Sequence, residues 1–298
     1  MKNKHIHIAQ ALATDKDAKG KAYGKKVYDQ LHDYFGDRLQ VITNTHQNIW
    51  CRDFMPVSNG TGELIQFAYR PAYLMETAKG QKTIPESEEI YQELGLQKVS
   101  LSTIVLDGGN VELLGDKAIV TDRVFRDNGK VNLVDKQKLV AELKKALAVD
   151  QVIVIPQYPY DFTGHVDGLV RFVDEHTVLI NDYTEELEDV ANDKNSYRRK
   201  LMDQWHHSFI DVLLNSRLNI ATLPYTANPE NGPSSAQGVY LNFLELDDCM
   251  VMPTFDDEPN DNQAADRLQA LYGKPVERIE SLELSKEGGV INCVTWAE

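Results

Sequence analysis

Short apolar runs recur along the chain, and longer stretches with helical spacing of apolar residues separate them. Ile6 to Ile8 reads as a buried strand, Asp15 to Tyr34 as a helix and Leu39 to Ile42 as a strand. Met55 to Val57 and Glu63 to Phe67 follow as strands, then a helix from Glu86 to Leu94 and a strand from Lys98 to Leu101. Val111 to Leu114 and Ala118 to Thr121 flank Gly115-Asp116, which is hairpin chemistry. A helix from Asp135 to Ala148 and the strand Val152 to Ile155 complete that unit. The same order returns with strands Val166 to Val173 and Thr177 to Ile180, a helix from Glu185 to Asn215 and the strand Asn219 to Leu223. It returns again with Val239 to Leu246, Met250 to Met252, a helix from Asn260 to Tyr272 and Val276 to Ile279.

Hairpin, helix, strand therefore repeats with a period of roughly 55 to 60 residues, the signature of a repeat architecture. The first unit lacks one strand, and the apolar run around Cys293 has no unit of its own. Pairing that run with the N-terminal strand completes a fifth unit and closes a ring, which removes exposed sheet edges.

Composition narrows the function. The chain has 298 residues and a formal net charge of -15. That charge, with no cluster of Lys and Arg, argues against nucleic acid and suits a cationic ligand. No run of about 18 apolar residues predicts a membrane helix, and no signal-peptide pattern follows the N-terminus. Three scattered cysteines, Cys51, Cys249 and Cys293, fit neither a disulfide framework nor a zinc site. A cytoplasmic protein of one domain over residues 1–298, free to form a homo-oligomer, is the expectation.

Candidate chemistry sits where each unit begins. Trp50-Cys51-Arg52-Asp53, Asp107-Gly108-Gly109-Asn110 and Gly164-His165-Val166-Asp167 each place polar residues at or near a first strand, as does Gly288-Gly289-Val290-Ile291-Asn292-Cys293. Pseudo-symmetry brings such positions to one axis. Strand alternation then sets His165 and Asp167 on one face and Asn292 and Cys293 on opposite faces. Taken singly, a lone Cys is more often core, His-x-Asp is more often a structural pair or part of a metal site, and Asp-Gly-Gly-Asn is a turn. No third metal ligand accompanies His165 and Asp167. The rival thiol, Cys51, neighbours Asp53, whose charge disfavours a thiolate.

Taken in order, these four motifs resemble those of the agmatine deiminase and bacterial peptidylarginine deiminase family, within the guanidine-modifying superfamily. The resemblance runs from about Asn44 to Thr295 and includes Thr121-Asp122-Arg123-Val124 and Tyr240-Leu241-Asn242-Phe243. It implies an α/β fold, a pentein-like, five-bladed propeller of ββαβ units around a polar centre. It also implies that Cys293 is the nucleophile, His165 the acid and base, and Asp53 and Asp167 the carboxylates that grip a guanidinium. Trp50, Asp107, Asn110, Asn242 and Arg123 are then the candidate substrate-binding residues, with no metal or organic cofactor. The chemistry suits these types, because carboxylates orient and neutralise a planar guanidinium while a thiolate attacks its carbon.

The sequence departs from the family at Asn292, where the family usually has His, and at Asp107, where it usually has Glu. Agmatine is the expected substrate. Arginine or peptidylarginine stands as the alternative, its carboxylate paired by Arg123 or Arg126, and binding of a guanidinium compound without turnover is a third reading. The stretch Pro224 to Gly238 reads as a long loop of the kind that covers or lines a site.

Overall fold

A computed structural model describes residues 5–17, 19–192, 195–226 and 235–298. Among the described residues, fifteen strands form five three-stranded sheets. The strands are β1 (Ile6–Ala9), β2 (Leu39–Ile42), β3 (Val57–Ser58), β4 (Leu64–Ala68), β5 (Ser100–Val105), β6 (Glu112–Leu114), β7 (Lys117–Thr121) and β8 (Gln151–Ile155). They continue with β9 (Val170–Asp174), β10 (Thr177–Asn181), β11 (Asn219–Leu223), β12 (Leu244–Glu245), β13 (Met250–Thr254), β14 (Val276–Glu280) and β15 (Thr295–Ala297).

Each sheet obeys one rule: an antiparallel pair, then a parallel third strand reached through helical structure. Thus β6 pairs antiparallel with β7, and β7 pairs parallel with β8. Four sheets are built from consecutive strands, and the fifth is built from the two ends of the chain. There β15 runs antiparallel to β1, with Ile6 opposite Ala297 and Ile8 opposite Thr295, and β1 runs parallel to β2. The predicted five-unit ring and its closure by the terminal strands are both present.

The crossover helices are amphipathic, and each buries one stripe against its sheet. Lys25–Phe35 buries Val27, Leu31 and Phe35. Leu133–Ala146 buries Leu139 and Leu143 beneath an Asn132 cap whose side chain accepts from the Asp135 N–H. Ser196–Asn215 buries Met202, Trp205, Phe209 and Leu213.

Two predicted helices differ. Asp15 to Tyr34 is helical only from Lys25, because Gln10–Ala13 forms a 3-10 turn and Lys16 bridges to Ala22 before it. Glu185 to Asn215 is two helices, Thr184–Ala191 and Ser196–Asn215, since Asn195 caps the second by accepting from the Tyr197 and Arg198 N–H groups.

The larger difference concerns the unit starts. Val166 to Val173 becomes strand only at Val170, and Val239 to Leu246 only at Leu244. Asp53 lies in the short helix Cys51–Phe54, and Cys293 lies in the short helix Ile291–Val294 rather than on a strand. In every unit the chain bends just before the first strand. Apolar patterning alone cannot distinguish such a bend from one more strand residue.

Candidate active site

The bends converge on one cavity of ≈ 430 Å³, lined by Trp50, Asp53, His165, Asp167, Asn242 and Cys293 among others. Each comes from the segment that precedes a first strand: Trp50 and Asp53 before β3, His165 and Asp167 before β9, Asn242 before β12 and Cys293 before β15. Pseudo-symmetry is therefore what assembles residues more than 200 positions apart.

His165 stands between two carboxylates. Its Nε2 is 3.0 Å from Asp107 Oδ2, and its Nδ1 is 3.5 Å from Asp53 Oδ1. Burial works against the imidazolium, but Asp53, Asp107 and Asp167 outweigh it and push the pKa of His165 up to about 10. Burial likewise raises the Asp53 carboxyl, to about 7, with His165 opposing it. The Asp161 side chain accepts from the His165 and Thr163 N–H groups and so fixes the turn that carries the imidazole.

Cys293 Sγ lies 3.7 Å from Asp167 Oδ2. The same oxygen accepts from Asn292 Nδ2 at 2.7 Å. The predicted alternation is corrected here: on a helical turn Asn292 and Cys293 approach one carboxylate together, so Asn292 does not point away from the site. The Cys293 N–H donates to Asn242 Oδ1 at 3.2 Å, which holds the nucleophile's backbone in place. Burial raises the Cys293 thiol well above its ordinary range, and Asp167 and Asp53 add to that shift. A cation beside the thiol opposes the contribution of the carboxylates.

Two glycines allow the close packing. A Cβ on Gly109 would sit 2.6 Å from Asp53 Oδ1 and 2.7 Å from His165 Nδ1. A Cβ on Gly289 would sit 2.6 Å from Trp50 Cζ3 and 3.1 Å from Cys293 Sγ. The Gly pairs noted in the sequence are thus the places where backbone passes directly behind reacting groups.

Not every candidate faces the cavity. Asn110 accepts from the Thr121 N–H and supports the turn beneath the site. Arg123 is engaged by Asp127 at 2.8 Å and by the carbonyl of Phe162, a lining residue, at 2.6 Å, and does not itself line the cavity. Arg126 is exposed. Asp107 reaches His165 rather than the open space. Cys51 is fully buried outside the cavity, and burial raises its thiol, as suits a structural residue. Among the described residues no group of three or more His, Cys, Asp or Glu is placed to hold a metal.

Sequence reading missed the far wall, where Tyr158, Tyr160, Tyr183, Glu186 and Tyr225 line the cavity. Nothing in their spacing marks them, since they come from loops and from the start of a helix. The predicted loop Pro224 to Gly238 falls partly on 227–234, outside the described residues, but its flanks Tyr225 and Ser235, Ala236 and Gln237 line the cavity.

A thiol, an imidazole and paired carboxylates at the centre of a five-sheet ring define the class: an α/β-propeller hydrolase that acts on guanidinium C–N bonds. The model of the Porphyromonas-type peptidyl-arginine deiminase family matches residues 1–298, and the chain belongs to that family. Its relatives include the agmatine deiminase of Ectopseudomonas mendocina, 24% identical over 284 residues that cover 87% of this chain and 76% of the relative. The agmatine deiminase of Pseudomonas syringae pv. tomato is 26% identical, with 98% and 85% covered. Among solved structures, the agmatine deiminase of Enterococcus faecalis superposes with a TM-score of 0.73 at 15% identity, covering 99% of this chain and 93% of that one. The dimethylarginine dimethylaminohydrolase (DDAH) of Pseudomonas aeruginosa shares the fold more distantly, with a TM-score of 0.54 at 14% identity and 99% of each chain covered. No helix among the described residues is long and apolar enough to cross a membrane.

Proposed function

We propose that this protein, acting as one catalytic domain, hydrolyses agmatine to N-carbamoylputrescine and ammonia through a covalent adduct on Cys293. The observation that carries the reading is that Cys293, His165, Asp53 and Asp167 line one cavity. The named relatives support agmatine as the substrate, and the three unpaired cysteines are in keeping with a cytoplasmic setting.

Three buried carboxylates around one imidazolium leave an excess of negative charge, which a bound guanidinium offsets. Asp53 and Asp167 accept its N–H groups and orient the plane. The neighbouring cation then favours the Cys293 thiolate, which attacks the guanidinium carbon. His165, held protonated, gives its proton to the departing nitrogen, and ammonia leaves. The neutral imidazole next takes a proton from water, whose oxygen adds to the same carbon; the added hydroxyl loses its remaining proton to solvent as the C–S bond breaks, the ureido product forms and the thiolate is regenerated. One nitrogen is exchanged for one oxygen, with no change of oxidation state. Asp107 acts through His165 by holding Nε2, Asn292 acts through Asp167, and Trp50 offers a ring face to the cation.

The test is release of ammonia and ureido product from agmatine, free arginine and a peptide with C-terminal arginine. Agmatine is expected to react, and Cys293→Ala to abolish product while the protein still binds substrate. Equal turnover of all three substrates would refute agmatine specificity, and turnover by Cys293→Ala would refute the covalent route.

A further inference from the structure

The far wall of the cavity carries an acid that the proposed reaction does not use. Glu186 is in the first turn of the helix Thr184–Ala191 and is only 6% exposed, yet it lines the same cavity as Cys293. The Tyr158 hydroxyl donates to its Oε1. Its Oε2 is buried and has no hydrogen-bond partner among the described residues. A carboxylate oxygen left without a donor is costly, and native proteins seldom leave one so.

Its surroundings are aromatic. The Tyr158 ring stacks on Tyr183 at 6.2 Å between centroids, and Tyr183 meets Tyr225 edge-on at 5.2 Å. Tyrosines and a buried carboxylate lining one cavity suit an organic cation, which the ring quadrupoles attract and the acid pairs. Asp189 and Glu287 line the cavity too, so its wall outside the reacting centre is mainly acidic. Arg198, the one guanidinium in that wall among the described residues, lies over the Tyr160 ring; burial raises the Glu186 carboxyl, and Arg198 opposes that rise. Arg123 is held by Asp127. The site thus opposes a carboxylate tail and favours an ammonium.

We propose that Glu186, with Tyr158, Tyr183 and Tyr225, is the subsite for an ammonium group at the non-reacting end of the substrate, and that it selects guanidinoalkylamines over guanidines with neutral or carboxylate tails. The proposal rests on the reaction assigned above and adds the residue that sets tail preference. The ammonium donates to the orphaned Oε2, while Tyr158 continues to hold Oε1. No bond is made or broken in this subsite.

The experiment compares kcat/KM for agmatine and for n-butylguanidine, which has the same carbon chain without the amine, in the wild type and in Glu186→Gln. The wild type is expected to prefer agmatine by about 10- to 100-fold, the range for a hydrogen bond to a charged partner. In Glu186→Gln the preference falls to within roughly threefold. A preference that survives the substitution overturns the proposal. If the variant lacks the wild-type circular dichroism spectrum, the wild-type ratio alone decides, and a value near one overturns the proposal. If neither guanidine is hydrolysed, the assigned reaction fails, and calorimetric titration of n-butylammonium still tests the subsite. Binding that weakens at least tenfold in Glu186→Gln supports it, and no binding to the wild type overturns it.

Discussion

Gly109 shows how closely the reacting groups depend on one missing side chain. Its N–H donates to Asp53 Oδ1 at 3.2 Å, and its carbonyl accepts from the Val166 and Asp167 N–H groups. One residue therefore aligns both an acid and the turn that bears the imidazole. Gly109→Ala would force Asp53 and His165 apart, since the added carbon meets both below 3 Å. We expect kcat for agmatine to fall by about 100-fold or more, because a misplacement near 1 Å costs that much. The accompanying loss of stability is about 1 to 3 kcal/mol, typical of overpacking, and calorimetry alongside steady-state assay separates the two effects. Unchanged turnover would show that the His165–Asp53 geometry does not matter. The residue types at this site were legible in the sequence, because thiol, imidazole and carboxylates in ordered motifs resemble a known constellation. The orientation of Asn292 was not, since it depends on a helical turn in place of a strand.

At the scale of elements, the helices join the blades and are tuned at their ends. Asn132 caps Leu133–Ala146 from an exposed position, and the helix core, Leu139 and Leu143, is untouched by its removal. Asn132→Ala should thus cost about 1 kcal/mol, the usual value of a cap. That corresponds to a fall in Tm of roughly 2 °C, read by thermal unfolding, with activity retained. A larger loss would mean that Asn132 serves more than its own helix. The spacing of apolar residues revealed these helices and the middle strands, which are buried and uninterrupted. It overextended the first strands, because the bend before each is made of apolar residues too: Val166 and Leu169 are as buried as the strand that follows.

For the whole molecule, the ring is closed by a seam at β1 and β15, and that seam contains His7. Its imidazole is 3% exposed, packs on Trp296 at 5.0 Å and has no hydrogen-bond partner on either nitrogen among the described residues, with Glu298 3.5 Å away and His5 nearby in sequence. Burial, with a smaller contribution from His5, lowers its pKa to about 4. The folded state therefore resists a proton that the unfolded chain accepts at about 6.5. Stability is unaffected by this group above that pH and falls as the pH drops toward about 4, by up to ~3 kcal/mol. His7→Leu should flatten that part of the acid limb in a series of unfolding curves between pH 7 and pH 4; an unaltered limb would place the acid sensitivity elsewhere. His165 acts in the opposite sense. Its raised pKa gives stability that is complete below about 6.5 and lost as the pH rises through about 10.

By itself the sequence determined the repeat, the ring and its closure, since period, hairpin chemistry and buried strands are local properties of the chain. It also carried the ordered motifs and hence the kind of chemistry. Only the tertiary structure decided which side chains face the cavity: it turned Asn292 toward Asp167, gave Asp107 to His165, engaged Arg123 with Asp127 and enclosed Glu186 among tyrosines. The reason is that direction at a bend depends on contacts with segments far away in sequence, whereas periodicity records only how a segment repeats along itself.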